Sequence, residues 1–278
     1  MSTLLALLLA SAAGSAPAPV FDAHLHGARD TEAQIQALRA GGITTIAVST
    51  SWETQQAYRD ADGLTVRPGL MFPCPRGKVP YSLQSCFEDG REWPGVEWTQ
   101  AQVEAGKVHF LGEILTQYYG IPPDDPRMAP YWALAEKHQL PVGIHTGSAG
   151  PGHGSPDFSE ALGNPTLLRP VLERHPRLRL WVMHAGAPYF DETMALMREY
   201  PGVYVDISVI NNPAIVPPPA FAAMMKTMLD AGFGDRSMYG SDNADIATTR
   251  AALDALGLDE AQENAILHDN AARFFERR

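Results

Sequence analysis

From residue 20 onward, short continuous apolar runs alternate with stretches whose apolar positions recur every three or four residues. The runs cover 19–24, 43–49, 66–71, 109–114, 142–145, 178–184, 203–207 and 237–240. Their apolar positions are consecutive rather than alternate, as expected of strands buried on both faces in a parallel sheet covered by helices. The segments between them, among them 31–40, 130–138, 165–175, 189–199, 220–229 and 248–256, carry helical periodicity. Boundary signals agree. Asp30 or Thr31 can cap the first helix and Gly41-Gly42 can end it. Asp125-Pro126 predicts an N-cap followed by proline in the first helical turn, and Pro141 follows the end of that helix. Eight strand-then-helix units over about 255 residues predict an α/β fold, a single-domain (β/α)8 TIM barrel. The first strand comes too early to leave room for a flanking β-sandwich.

The chain has 278 residues, 45% of them hydrophobic, enough for one large core. Its formal net charge of −11 argues against nucleic acid or an anionic membrane as a partner. The longest basic run is only Arg277-Arg278. Residues 1–18 stand apart: an apolar run, 4–10, precedes small residues and a small-x-small cleavage pattern near Ala16 or Ala18. This reads as a signal peptide leading into a barrel over 19–278, with a periplasmic or secreted location; the alternative is a plain N-terminal extension. The run is shorter than the roughly 20 apolar residues that span a bilayer. Cys74 and Cys86 share a Pro/Gly-rich stretch. They form a disulfide if the protein is exported, or stay as two free thiols.

The chemistry lies at the strand ends. Val20-Phe21-Asp22-Ala23-His24-Leu25-His26 carries two histidines at i and i+2, which a strand points to one side. Such a pair is a metal-ligand pair. Strand four ends in Leu111-Gly112-Glu113, strand five in Gly143-Ile144-His145 and strand six in Val182-Met183-His184; Gly240-Ser241-Asp242 follows strand eight. Taken singly, each has an ordinary reading: a packed, hydrogen-bonded histidine, or an acid capping a helix, as Asp242 could for the last one. Taken together, six imidazoles and carboxylates at one end of a barrel imply a divalent cation, because burying them without one is costly. Zinc, manganese and iron accept this donor set.

With these residues the sequence resembles the amidohydrolase superfamily of metal-dependent barrel hydrolases, in its compact branch without a β-sandwich. The resemblance rests on Asp22-Ala23-His24-Leu25-His26, Gly112-Glu113-Ile114, Pro141-Val142-Gly143-Ile144-His145-Thr146-Gly147, Met183-His184-Ala185-Gly186, Val205-Asp206-Ile207-Ser208, Tyr239-Gly240-Ser241-Asp242 and Asn270-Ala271-Ala272-Arg273-Phe274-Phe275. It implies that His24, His26 and Asp242 hold one metal, that His145 and His184 hold a second, and that Glu113 bridges them. With one metal, the ligands are instead His24, His26, His145 and Asp242, and His184 orients the water or polarises the substrate. Asp242 also serves as general base. The implied activity is hydrolysis of a small-molecule ester, lactone or amide by metal-activated water, with Zn²⁺ or Mn²⁺, one or two ions. A one-metal decarboxylase or hydratase of the same superfamily is the alternative. A barrel that only binds would be expected to have lost a ligand, and none is missing. An oligomer is compatible with all of this.

Other residues keep two readings. Tyr118, Tyr119, Trp52 and Arg76 lie in loops expected over the barrel mouth, where they touch substrate or pack the loop. His153, in a glycine-rich loop after strand five, touches substrate or is merely solvated. Asp206 orients a neighbour or pairs with a backbone amide.

Overall fold

The computed structural model describes residues 18–148 and 155–276. Eight parallel strands run in sequence order: β1 (Val20–His26), β2 (Ile43–Ser49), β3 (Thr65–Phe72), β4 (Phe110–Ile114), β5 (Pro141–Ile144), β6 (Arg179–Val182), β7 (Tyr204–Asp206) and β8 (Ser237–Met238). Each pairs with the next, and the ends meet through Ala23 N–H donating to the Tyr239 carbonyl at 2.9 Å. The Ser241 N–H extends that seam by donating to the Asp22 carboxylate at 3.0 Å. This is the (β/α)8 barrel. Its helices include α1 (Thr31–Ala40), α2 (Trp52–Tyr58), α3 (Val96–Glu104), α4 (Thr116–Tyr119), α5 (Ala129–His138), α6 (Arg169–Arg174), α7 (Phe190–Glu199), α8 (Pro218–Asp230), α9 (Ile246–Asp254), α10 (Glu260–Asn264) and α11 (Asn270–Phe275).

Cap chemistry explains several boundaries. Asp30 accepts the Ala33 N–H and starts α1; Gly42, at φ 78°, turns the chain after it. Asp245, not Asp242, caps α9 by accepting the Thr248 N–H. The expected cap at Asp125 is not used: α5 begins at Ala129, with no side-chain cap and with Pro130 in its first turn. Asp125 is engaged instead by its near neighbour, accepting the Arg127 N–H and both arms of its guanidinium at 2.9 Å. That satisfied turn postpones the helix. Strand six also stops earlier than its apolar run suggests, at Val182, because His184 and Ala185 take left-handed φ of 59° and 48°.

Two apolar layers follow from strand geometry. The outer cluster joins strand faces to the helices and includes Leu25, Leu111, Val142 and Val205. The inner cluster fills the barrel with Phe21, Ala23, Ala47, Phe110, Trp181, Met183 and Met238. The β1 register slips between Asp22 and Leu25, which hands Ala23 to the inner cluster and Leu25 to the outer one. Small residues face large ones: a Cβ on Gly69 would lie 2.3 Å from Phe110, and one on Gly143 2.2 Å from Trp181. Phe274 and Phe275 of α11 pack on Trp181, at ring separations of 5.5 and 5.3 Å, and help fill the interior. Arg179 fixes that segment by donating to the carbonyls of Gln139, Arg273, Phe274 and Glu276.

The Cys74–Cys86 disulfide forms in the loop after β3. Residues 1–17 of the expected leader 1–18, His153 and Arg277-Arg278 lie outside the described residues.

Gly143→Ala is expected to destabilise the barrel by about 1–3 kcal/mol, because the displaced ring belongs to the packed interior. At roughly 2–4 °C per kcal/mol for a domain somewhat smaller than this, thermal unfolding should shift down by several degrees. An unchanged Tm would show that the small-against-large fit is dispensable.

Candidate metal centre

The six ligand-type residues converge at the C-terminal ends of the strands. His26 Nε2 lies 2.9 Å from Asp242 Oδ1 and 3.6 Å from Glu113 Oε2. His24 Nε2 is 3.9 Å from Asp242 Oδ1, and His145 Nε2 is 4.0 Å from Glu113 Oε1. The His184 ring stacks on His24 at 4.8 Å and meets His145 edge-on at 5.1 Å. Ligand atoms of His24, His26 and Asp242 lie within 4.8 Å of one another, as do those of His24, Glu113 and His184.

The hydrogen bonds decide which nitrogen each imidazole offers. The Nδ1 of His24 donates to Asp206 Oδ2 at 3.0 Å, and that of His26 to the Ser49 carbonyl at 3.3 Å. His145 Nδ1 donates to Gln117 Oε1 at 2.7 Å; the Gln117 amide is oriented by its NH2 group, which donates to the Gly147 carbonyl. His184 Nδ1 lies 3.0 Å from Ser208 Oγ. That hydroxyl gives its own proton to Asp206 Oδ1 at 2.5 Å, so it accepts from His184. In all four rings Nδ1 is engaged by these partners, and Nε2 points inward as the nitrogen each would offer to a cation. Four inward imidazole nitrogens and two carboxylates in so small a space are a donor set suited to a shared divalent cation. The His24 Nε2 is buried and has no hydrogen-bond partner. The donor set fits a divalent ion on chemistry and on this unpartnered atom alike.

The charges tell the same story. Burial works against a proton on His24, but Asp206, Asp242 and Glu113 outweigh it and raise its pKa to about 10. The carboxylates that favour a proton on His24 would equally favour a divalent cation, and a bound metal would displace that proton. Burial, then neighbouring imidazoles, pushes His145 well below the usual range and His184 down to about 4. Burial raises Glu113 against the pull of His26 and His24. Burial would raise Asp242 as well, but its hydrogen bond to His26 and the surrounding imidazoles hold it well below the usual carboxylate range. Asp242 stays ionised, and its side chain is 24% exposed, whereas Glu113 and His145 are at 2% and 5%.

Backbone strain accompanies function. His184, at φ 59°, and Asp242, at φ 47°, both sit in the left-handed region, where a non-glycine residue costs about 1–3 kcal/mol. The His184 N–H is held by Asp206 Oδ1 at 3.1 Å and the Asp242 N–H by the His24 carbonyl at 2.9 Å. Gly240 leaves no room for a side chain: its Cβ would lie 2.8 Å from that of His24.

Asp206 plays both of its expected parts, orienting His24 and accepting backbone N–H groups; opposed by burial but favoured by His24, its pKa falls to about 2. Tyr118 adjoins the site, its ring 4.7 Å from His145. Trp52 packs on Trp98, the Tyr119 hydroxyl donates to Glu92, and Arg76 is exposed. Gln117, Ser208 and Tyr81 were not singled out by the sequence, and a lone Gln, Ser or Tyr without periodic neighbours gives no signal there. Ser208 sits inside the quoted Val205–Ser208 motif, where spacing from Asp206 was the one available hint.

The amidohydrolase family model matches residues 93–277, well over half of the chain. The chain belongs to the amidohydrolase family. The match contains Glu113, His145, His184 and Asp242, while His24 and His26 precede it. Amidohydrolases are metal-dependent enzymes, and the convergent groups above are this chain's candidates for holding the metal. A search of the curated proteins finds no match. Among solved structures, the amidohydrolase resembles an uncharacterised TIM-barrel protein from Bordetella bronchiseptica, at TM-score 0.66 and 16% identity, covering 92% of this chain and 98% of that one. It also resembles an amidohydrolase from Burkholderia multivorans with bound HEPES, at TM-score 0.62 and 14% identity over 93% and 99% of the two chains. A 2,6-dihydroxybenzoate decarboxylase from Rhizobium aligns at TM-score 0.57 and 16% identity over 93% and 98%. These likenesses are likenesses of fold.

Asp206→Asn keeps an acceptor near His24 but removes the charge. Metal affinity of this amidohydrolase should fall about 10–100-fold, the usual effect of losing a carboxylate behind a ligand histidine. Competition with a chromogenic chelator reads this directly, and an unchanged affinity would remove Asp206 from the argument.

Proposed function

We propose that this amidohydrolase is a metal-dependent hydrolase of a small-molecule ester, lactone or amide, with Asp242 as its general base. The observation that carries the reading is the inward convergence of four imidazole Nε2 atoms and two carboxylates, of which Asp242 combines a depressed pKa with access to solvent. His24, His26 and Asp242 would hold one ion and His145 and His184 a second. Glu113, lying between the His26 and His145 imidazoles, supports an arrangement in which two ions share it. A bound divalent ion, Zn²⁺ or Mn²⁺ by donor type, supplies a water of lowered pKa and polarises the scissile carbonyl.

The chain's own residues do the rest. The Asp242 carboxylate accepts a proton and returns it to the departing oxygen or nitrogen. With a single ion on His24, His26, His145 and Asp242, His184 faces the reacting group and polarises it. Gln117, Ser208 and Asp206 hold the rings so that no reorganisation is needed during the reaction. Tyr118 supplies a wall beside His145 for the substrate. Decarboxylation is the second reading, favoured by the shared barrel of the Rhizobium enzyme. We also place the protein in the periplasm or outside the cell, a reading supported by the leader pattern and by the Cys74–Cys86 disulfide.

Asp242→Asn should leave the fold intact and lower kcat by about 10²–10⁴-fold or more, the range of a lost general base. The assay is a screen of esters, lactones and dipeptides with Zn²⁺- or Mn²⁺-reconstituted protein after chelation. Full activity after complete metal removal, or near-normal kcat in the variant, contradicts the proposal; CO₂ release without hydrolysis moves it to the second reading. Export predicts that protein recovered outside the cytoplasm lacks the leader, with an intact mass fixing the cut near Ala16 or Ala18; the unshortened chain at that location would refute cleavage.

A further inference from the structure

The loop after β3 makes a small hairpin. Lys78 bridges antiparallel to Ser85, the Val79 N–H donates to the Gln84 carbonyl at 2.8 Å, and the Cys86 N–H donates to the Gly77 carbonyl at 2.9 Å. The Cys74–Cys86 disulfide closes its base. The base is anchored on both sides, by Cys74 N–H to the Glu92 carbonyl and by Trp52 N–H to the Cys86 carbonyl, each at 2.8 Å. Val79 and Cys86 are buried, while Leu83 near the tip is 71% exposed. Between them, Tyr81 turns toward the barrel. Its ring lies against His26 with centroids 4.1 Å apart. Its hydroxyl donates to the Ser49 carbonyl at 3.2 Å, the same oxygen that accepts the His26 Nδ1–H.

We infer that Tyr81 is a positioning residue for His26 and that the disulfide-closed hairpin 74–86 holds it in place, so that metal retention depends on this strap. The inference rests on the proposed metal centre. Two contacts do the work. The ring restricts rotation of the imidazole, and the hydroxyl fixes the carbonyl on which the His26 tautomer depends. Both act on a residue whose other nitrogen is 2.9 Å from Asp242. A ligand whose plane and tautomer are preset loses less freedom on binding an ion and releases it more slowly. The hairpin supplies this from outside the strand ends. Its apolar underside and its cross-link keep Tyr81 seated, and beside it the Arg29 guanidinium donates to the Ser82 carbonyl at 3.2 Å.

The experiment measures zinc release from the full-length, Zn²⁺-loaded protein into excess chromogenic chelator, together with Tm of the loaded and metal-free forms. Tyr81→Phe keeps the ring and loses the hydroxyl, and release should quicken several-fold. Tyr81→Leu, and separately Cys74→Ser with Cys86→Ser, should quicken it about tenfold or more. Leu83→Ala, on the same hairpin but exposed, should match the wild type. The metal-free Tm of Tyr81→Phe should stay near wild type. Wild-type release rates in both Tyr81 variants would overturn the inference, as would a Tyr81→Phe metal-free Tm that falls as far as the loaded one, the mark of a merely structural contact. If Tyr81→Leu quickens release and the double serine variant does not, the strap is refuted and the tyrosine contact stands. Wild-type protein that retains no zinc or manganese refutes the metal centre itself, a different failure.

Discussion

A single buried carboxylate ties the centre together. Asp206, at the end of β7, accepts from the His24 ring, the Trp181 indole, the backbone N–H groups of His184 and Ser208, and the Ser208 hydroxyl. A fully buried acid is tolerable only when its lone pairs are so occupied. The requirement works in reverse on its partners. His24 must present Nε2, the chain must turn left-handed at His184, and Ser208 must accept from a second imidazole. Through Trp181 the same carboxylate touches the packed interior, so the geometry of the rim and the fit of the inner layer are one problem.

The closure of the barrel obeys a related logic. β8 is two residues long, and its seam with β1 depends on few backbone bonds. Side chains supplement them: the Asp22 carboxylate accepts the Ser241 N–H, and Asn243 accepts the His26 N–H at 3.1 Å. The seam is therefore made by residues flanking the ligand positions. Gly240 is required there because the segment that follows β8 passes directly against His24.

Much of this was readable in the chain. Consecutive apolar runs marked all eight strands, since burial on both faces leaves few alternatives. The i, i+2 spacing of His24 and His26 placed both rings on one side, and the other four groups lay where strands end. Local competition was harder to see. Asp125 looked like a helix cap, yet Arg127 two residues on satisfied it first. The apolar run through His184 looked like continuous strand, yet a hydrogen bond to Asp206, distant in sequence, bends it away. Gln117, Ser208 and Tyr81 become meaningful only when separate loops meet, and no periodicity announces a single polar side chain. The cysteine pairing was open for the same reason: a loop's path decides it.

The seating of Phe274 and Phe275 beside Trp181, with Arg179 grasping the carbonyls around them, hands part of the filling of the barrel interior to a helix outside the sheet. Phe21 of β1, Phe110 of β4 and Trp181 of β6 all meet the Phe275 ring, so strands far apart in the sequence share one aromatic neighbour. A shift at one strand is thereby felt at the others through a single side chain that belongs to no strand.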